Sequence, residues 1–333
     1  MKKIMNAPEN FVDEMIDGLL AAYPHQLKVP GNDKRILVRA DAPVQGHVGI
    51  VTGGGSGHLP VFKGYVGTGL CSGVAIGNVF SSPSSEQIYE ATKAVNGGAG
   101  VLYLYGNYGG DVFNFDLAAD LAELDDIETA TVLGRDDVAS HPKERKHDRR
   151  GVAGILFAYK AAGAAAERGD SLAEVARIAE DVVDNTATMG VGLSPTVLPT
   201  TGVPSFELAD GEMEIGIGIH GEPGISRGPL KPADEITDSL LAPLLDDLGL
   251  VAGDRVAVLV NGLGATPLEE QYIVYRRVAQ VLADKQIRID KNYVGNYCTS
   301  LEMAGVSISL LKLDDSRLAL LNAPARSPFF LEV

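Results

Sequence analysis

The chain has 333 residues, of which 45% are hydrophobic and 22% charged, and its formal net charge is -16. Its length allows two domains with separate cores, and its composition indicates a folded α/β protein. The acidic balance argues against nucleic acids and anionic membranes as partners. The two cysteines, Cys71 and Cys298, form no CxxC pair, and no segment matches a signal peptide or a membrane span, so we expect a cytoplasmic protein.

In the first part of the chain, periodic apolar patterns predict strands that alternate with helices. Strands are predicted at 36–38, 48–51, 74–76, 100–105 and 129–133, and helices after Pro8, up to about Val95, and at 111–123. This βαβ alternation predicts a mostly parallel sheet covered by helices, with ligands at the carboxyl ends of its strands.

A basic segment at 134–150 interrupts this pattern. We interpret it as a solvated loop, and a docking patch for a partner or a phosphate is the alternative. Its two histidines, His141 and His147, match no metal motif. Alanine-rich sequences then predict helices at 152–168 and 171–185, which complete the first half of the chain.

Residues 186–204 are interpreted as the seam between two α/β domains. The first domain, 1–185, holds the substrate pocket, and the second, 186–333, is predicted to contain a mixed sheet. The second domain has predicted strands at 255–260, 288–294 and 306–312 and predicted helices at 235–247 and 268–284.

A lone histidine, His220, stands out in the second half. Apolar residues alternate from Met213 to Ile219, which predicts a half-buried strand. Glycines and Pro223 follow and end it, so His220 is predicted at a strand end without bulky neighbours, where another molecule could approach. The alternative is a turn histidine hydrogen-bonded to backbone.

The segment 52–60, TGGGSGHLP, predicts a glycine-rich turn after a strand. A phosphate cradle and a plain tight turn are two interpretations, although neither the P-loop motif nor GxGxxG is present. The third is a floor for ligand oxygens, with His58 beside it as acid or base. Asp111, which follows the 100–105 strand, is interpreted either as a helix cap or as a carboxylate that faces the ligand.

Several motifs, in order along nearly the whole chain, resemble those of the dihydroxyacetone kinase K-subunit family. They are Gly53–His58, Asn107–Asp111, Arg149–Ala153, Gly218–Gly224, Asn261–Pro267 and Tyr297–Leu301. The resemblance implies that His220 adds covalently to a ketose carbonyl and forms a hemiaminal. It also implies proton transfer by His58 and Asp111, in a substrate pocket that is lined by Gly55, Ser56, Gly57, His58, Gly106 and Asp111.

The resemblance further implies a homodimer that binds a small ketose and works with a separate, helical kinase subunit. ATP and Mg²⁺ are expected on that partner, and no cofactor or metal on this chain; a phosphorelay protein is the alternative phosphate donor. Two positions depart from the family pattern, because Leu59 replaces a glutamate and Gly106 a lysine. Both changes resemble the branch that acts on four-carbon ketoses such as erythrulose.

Two other functions stay open: a non-catalytic ketose sensor that regulates a partner, and a phosphate- or nucleotide-binding enzyme acting alone. The presence of His58, Asp111 and His220 argues against the sensor, because a sensor needs capture but not proton transfer. The missing P-loop lysine argues against the second function. We therefore interpret the chain as the substrate-binding subunit of a short-chain ketose kinase.

Overall fold

The computed structural model describes residues 2–333 as two six-stranded sheets with helices packed against them. The predicted α/β class is therefore confirmed. The helices are α1 (Phe11–Ala22), α2 (Ser85–Val95), α3 (Gly109–Leu124), α4 (Ile155–Arg168), α5 (Leu172–Asp184), α6 (Ala233–Asp247), α7 (Leu268–Asp284) and α8 (Asp315–Asn322). Within these residues, every helix is either too short or too polar to cross a bilayer.

The first sheet has the order β1-β2-β4-β3-β5-β6. Its strands are β1 (Leu27–Lys28), β2 (Ile36–Arg39), β3 (Gly49–Ser56), β4 (Gly73–Val79), β5 (Val101–Gly106) and β6 (Thr129–Gly134). The four strands from β4 to β6 run parallel, and β1 and β2 pair antiparallel at one edge. The predicted mostly parallel sheet is confirmed, and its carboxyl ends carry the glycine-rich segment and Asp111.

The second sheet is mixed, as predicted, with the order β11-β10-β12-β7-β8-β9. Its strands are β7 (Thr186–Ser194), β8 (Glu212–Ile215), β9 (Ser226–Pro229), β10 (Arg255–Gly262), β11 (Arg288–Gly295) and β12 (Ala304–Leu313). Only β10 and β11 are paired in parallel among these described strands. A small third sheet pairs β13 (Ala325–Arg326) with β14 (Leu331–Glu332).

One local prediction in the second half is wrong, and one strand lies where none was predicted. The segment 186–204 begins with β7, a strand inside the second sheet, because β12 supplies its pairing partner from more than a hundred residues away. The strand before His220 ends at Ile215, because Gly216 adopts a positive φ of 81° and turns the chain out of the sheet. A domain boundary after residue 185 stays a prediction.

Helix α4 lies in the hydrophobic core that both sheets share. Residues 155–166 are all buried, and their cluster contains Ile50 of the first sheet and Leu259 of the second. Such a helix is apolar on all sides because it is surrounded by protein. Its packing therefore sets how the loops of the two sheets meet.

The close approach of α4 to the loop before β4 yields a stability test. A Cβ at Gly163 would lie 2.3 Å from the Gly69 carbonyl group, whereas nothing lies within 4 Å of one at Gly18 in α1. We expect Gly163→Ala to lower the free energy of unfolding by about 1–3 kcal/mol through overpacking. The matched control Gly18→Ala should leave it unchanged or raise it by about 0.5–1 kcal/mol. Urea denaturation measures both, and equal effects would contradict this packing.

Candidate functional site

The glycine-rich segment 52–60 is not a simple turn. Strand β3 continues to Ser56, because Gly53, Gly54 and Ser56 pair with β4. The glycines make room for aromatic rings: a Cβ at Gly54 would lie 2.1 Å from Phe62, and one at Gly57 2.7 Å from Phe80. The predicted turn is therefore wrong over 53–56. The ligand contacts proposed for Gly55, Ser56 and Gly57 stay predictions.

His58 follows this strand and is fully buried. Its Nδ1 atom lies 2.8 Å from the carbonyl oxygen of Thr299, and its ring stacks on Phe80 at a centroid distance of 5.0 Å. Its Nε2 atom lies 3.0 Å from Nε2 of His220. The two histidines that the sequence singled out are thus in direct contact.

His220 lies in the loop between β8 and β9. Its Nδ1 atom is 2.8 Å from Oε1 of Glu222, and its backbone N–H donates to Oε2 of the same side chain. The rings of Phe80 and Tyr108 also pack on it, at centroid distances of 5.1 and 4.8 Å. The predictions of a strand end and of no bulky neighbours are wrong, and so is the alternative of a ring bonded to backbone.

The hydrogen-bond partners of the two rings show which ring nitrogens carry a proton. Thr299 offers a carbonyl oxygen and Glu222 a carboxylate, both acceptors only, so each Nδ1 atom carries a proton. Burial alone would raise the pKa of Glu222, but the hydrogen bond and charge of His220, with Arg150, lower that pKa to about 2. The carboxylate is therefore ionised at neutral pH.

Both Nε2 atoms then face each other across 3.0 Å, and two lone pairs cannot approach so closely without a proton between them. Burial and the positive charge of His220 hold the pKa of His58 well below its ordinary value. A single proton therefore lies between the two Nε2 atoms, and the carboxylate of Glu222 lies behind the ring of His220. Once that proton leaves, His220 Nε2 is a nitrogen nucleophile held in position.

Asp111 is the third residue of α3 and is buried. The position before the helix is Tyr108, so the interpretation of Asp111 as the helix cap is wrong. In the part of the chain that the structure describes, its Oδ1 atom has no hydrogen-bond partner. Burial raises the pKa of Asp111 to about 6, opposed by a hydrogen bond from Ser82 and by the charge of His220. A carboxylate with a pKa of about 6 and an oxygen that has no hydrogen-bond partner is suited to accept a proton.

The two positions that depart from the family pattern lie in different surroundings. Gly106 ends β5, and a Cβ there would lie 3.2 Å from the ring of Tyr108, which packs on His220. The ring of Tyr108 thus already occupies the place that a side chain at Gly106 would need. Leu59 lines a cavity whose wall contains none of His58, Asp111 and His220, so it gives no support to a preference for longer ketoses.

Arg150 is a site residue that the sequence interpretation missed, because it was assigned, with Arg149, to a solvated loop. The guanidinium of Arg150 donates to Asp137 at 2.9 Å and lies 3.8 Å from Glu222. Arg149 is 1% exposed and pairs with Asp247 of α6. The solvated-loop interpretation is wrong for both, which instead tie the loop after β6 to the second half of the chain.

Phe80 and Glu222 were also missed. Phe80 has a positive φ of 56°, unusual outside glycine, and its backbone N–H donates to the Ser56 carbonyl. Nothing in the sequence marks this residue. Glu222 stands two residues after His220, and that short spacing is the signal that could have identified it. Within residues 2–333, no cluster of three or more His, Cys, Asp or Glu side chains is arranged to hold a metal.

Comparison with known proteins gives the family. The Dak1 domain matches residues 17–329, and this chain belongs to the Dak1 domain family. It is 46% identical over 330 residues to the dihydroxyacetone-binding subunit of a PTS-dependent dihydroxyacetone kinase of Listeria innocua, covering 99% of each chain. It is 40% identical to an L-erythrulose kinase of Pectobacterium atrosepticum, covering 99% of this chain and 56% of that protein.

Two solved structures share the whole fold. One is a dihydroxyacetone kinase of C. freundii in complex with AMP-PNP and Mg²⁺, with a TM-score of 0.90, 32% identity, and coverage of 99% of this chain and 61% of that one. The other is a dihydroxyacetone kinase operon co-activator, with a TM-score of 0.89, 32% identity, and coverage of 96% and 98%. The same fold therefore occurs in a dihydroxyacetone kinase and in a co-activator of a dihydroxyacetone kinase operon.

The depressed pKa of Glu222 predicts a pH-dependent contribution to stability. Its pKa falls from 4.5 to about 2 on folding, so the contribution is complete above pH 4.5 and is lost as the pH falls towards 2. We expect Glu222→Gln to lower the free energy of unfolding at pH 7 by on the order of 1–2 kcal/mol, less than the full shift because the side chain is 31% exposed.

The matched control is Glu207→Gln, which changes an exposed carboxylate that makes no hydrogen bond among residues 2–333. Denaturation at pH 7 and at pH 3 measures both variants. The difference between wild type and Glu222→Gln should shrink at the lower pH, and a difference that does not change with pH would contradict the role of the ionised carboxylate.

Proposed function

We propose that this chain is the ketose-binding subunit of a kinase for short-chain ketoses, dihydroxyacetone or erythrulose. The observation that carries the proposal is the contact of His58 and His220, 3.0 Å apart, with Glu222 behind the second ring. The names of relatives that match nearly the whole chain support the same substrate class. A histidine pair in which one ring is buried and the other half-buried is suited to nucleophilic attack on a carbonyl group.

Capture of the ketose uses the shared proton. The lone pair of His220 Nε2 forms a C–N bond as the C=O π bond opens, and the carbonyl oxygen takes the proton that lay between the two rings. The product is a hemiaminal, and no water is lost. The imidazolium that results keeps its Nδ1 proton, and the charge of Glu222 balances it. Covalent capture selects ketoses over polyols, which have no carbonyl.

Phosphoryl transfer needs a base for the terminal hydroxyl of the captured sugar. Asp111 supplies it, because a carboxylate with a pKa of about 6 is mostly ionised at pH 7 and has a free oxygen. The phosphoryl group comes from a helical partner subunit that carries ATP and Mg²⁺. Fixing the sugar on His220 makes the attack on phosphorus nearly intramolecular.

We infer a homodimer from an exposed apolar face on α3. Four large side chains spaced along one face of this helix are exposed by 36–80%: Phe113, Leu117, Leu121 and Leu124. Apolar stripes of this kind usually mark a protein interface. A second copy of the chain is the occupant that we assign to it.

A non-catalytic ketose sensor is the second candidate, and the likeness to an operon co-activator favours it. A sensor would need the His220 capture chemistry but no base. Asp111, with its raised pKa and free oxygen, is therefore the residue that separates the two functions.

Substitution of Asp111 tests the kinase. With the helical partner, ATP and Mg²⁺, we expect turnover that the chain alone does not show, and Asp111→Asn should lower kcat by ~10²–10⁴-fold with little change in KM. Wild-type kcat should fall below about pH 6, as the carboxylate is protonated, and the variant should lose that dependence.

Asp116→Asn is the matched control, because Asp116 is exposed on the same helix. It should keep wild-type kcat. Full activity of Asp111→Asn would remove the proposed base, and ketose binding without any turnover would favour the sensor.

The covalent adduct has a direct readout. Intact-mass spectrometry should show the mass of the whole ketose added to wild type, whereas His220→Ala should show none. Borohydride should not trap the adduct, because a hemiaminal contains no C=N bond to reduce. An adduct on His220→Ala, or a mass lower by one water, would show different chemistry.

Intact-mass spectrometry with an equimolar mixture of dihydroxyacetone and erythrulose shows which of the two ketoses the protein prefers. We expect the erythrulose adduct to exceed the dihydroxyacetone adduct, because Gly106 stands where dihydroxyacetone kinases commonly carry a lysine and in this resembles the branch that acts on four-carbon ketoses. The difference should be on the order of 10-fold, as for one added group in a pocket. Gly106→Lys should reduce this preference. An excess of the dihydroxyacetone adduct on wild type would assign the three-carbon ketose.

A further inference from the structure

The cavity that Leu59 lines lies against the loop that carries His58. Its volume is about 490 Å³, and its wall combines the N-terminal segment, α1, the end of β3 and residues 299–302. Most of the wall is apolar, with Phe11, Met15, Leu59 and Leu301 among its side chains. Cavities of this size bind small organic molecules.

One charged side chain in this wall is almost completely buried. Lys63 is 2% exposed as a residue and lines this cavity, and its ammonium group makes no hydrogen bond or ion pair with residues 2–333. Burial, together with the charge of Arg35, lowers the pKa of Lys63 to about 8. Lys160 shows the contrast: it is equally buried, but its Nζ atom donates to the carbonyl oxygens of Leu320 and Ala323.

The carboxylates nearby already have other partners. Glu302, in the same cavity wall, pairs with Lys3 and also accepts hydrogen bonds from Thr196 and from the backbone of Val197. Asp13 of α1 pairs with Arg35. The ammonium of Lys63 therefore lines the cavity without a carboxylate partner among residues 2–333, and an anion in the cavity would supply that partner.

We propose that this cavity binds a small organic anion with an apolar body, whose anionic head contacts Lys63. The apolar side chains would enclose the body of the ligand, and Lys2, also in the wall, adds positive charge. A ketose does not match this wall, because it has no charge and carries hydroxyl groups on nearly every carbon. The cavity is therefore suited to a ligand other than the ketose, although Ser56 and Gly57, predicted as ketose contacts, lie in its wall.

The cavity also contacts the residues that hold His58. Gly57 and Leu59 flank His58 and line the cavity. Thr299, whose carbonyl oxygen accepts a hydrogen bond from Nδ1 of His58, lines it too. A ligand bound at Lys63 would touch the loop of the ketose site from its opposite face.

Calorimetric titration with chemically matched probes tests the proposal. Octanoate and octyl phosphate carry the anionic head on one apolar chain, and octanol carries the same chain without charge. We expect both anions to bind wild type, with the tighter one identifying the head as carboxylate or phosphate. Octanol should bind at least tenfold more weakly.

Variants assign the binding to Lys63. Lys63→Met keeps the length of the side chain and removes the charge, so it should weaken octanoate binding at least tenfold, whereas Lys63→Arg should retain it. The control Lys285→Met changes an exposed lysine and should bind as wild type does. His220→Ala should also bind octanoate normally, which separates this site from ketose capture.

Two results would overturn the proposal. One is the absence of octanoate binding to the folded wild-type protein. The other is equal binding of octanoate and octanol, or equal binding to wild type and Lys63→Met, because the cavity would then recognise the apolar chain alone.

Discussion

The contact between His58 and His220 is the interaction on which the rest of the site depends. The two residues lie 162 positions apart, and each follows a strand of a different sheet. They meet because both sheets pack into one core around α4. Thr299 and Glu222 then fix each ring from behind through its Nδ1 atom. Any shift between the sheets would separate the two Nε2 atoms.

Two carboxylates near this contact have opposite environments. Burial raises the pKa of Asp111 to about 6. Glu222 is half-buried, and although burial alone would raise its pKa, His220 and Arg150 lower that pKa to about 2. The difference arises because Glu222 has cationic partners in contact and Asp111 has a free oxygen. Groups whose environments separate their pKa values can take different tasks, one as a permanent charge and the other as a base.

For the buried and half-buried cations, too, the partners in contact decide how the charge is compensated. Arg149 and Arg150 each have a carboxylate partner, and Lys160 has two carbonyl oxygens. Lys63 has neither within residues 2–333, and it lines a cavity whose wall combines apolar side chains with Lys2, Lys3 and Glu302. Since proteins seldom leave a buried charge without compensation, the exception marks a place where a ligand contributes to the balance.

The sequence by itself determined the α/β class, most helices and strands, and the identity of His58, Asp111 and His220 as candidate residues. Apolar periodicity and motifs are local, so they can be recognised in the sequence without knowledge of the fold. Only the tertiary structure decided that β3 continues through its glycines, that β7 belongs to a sheet, and that Phe80, Glu222 and Arg150 complete the site. Strand pairing, burial and side-chain contact depend on residues that are distant in the chain, and no local pattern encodes which distant residue will be the neighbour.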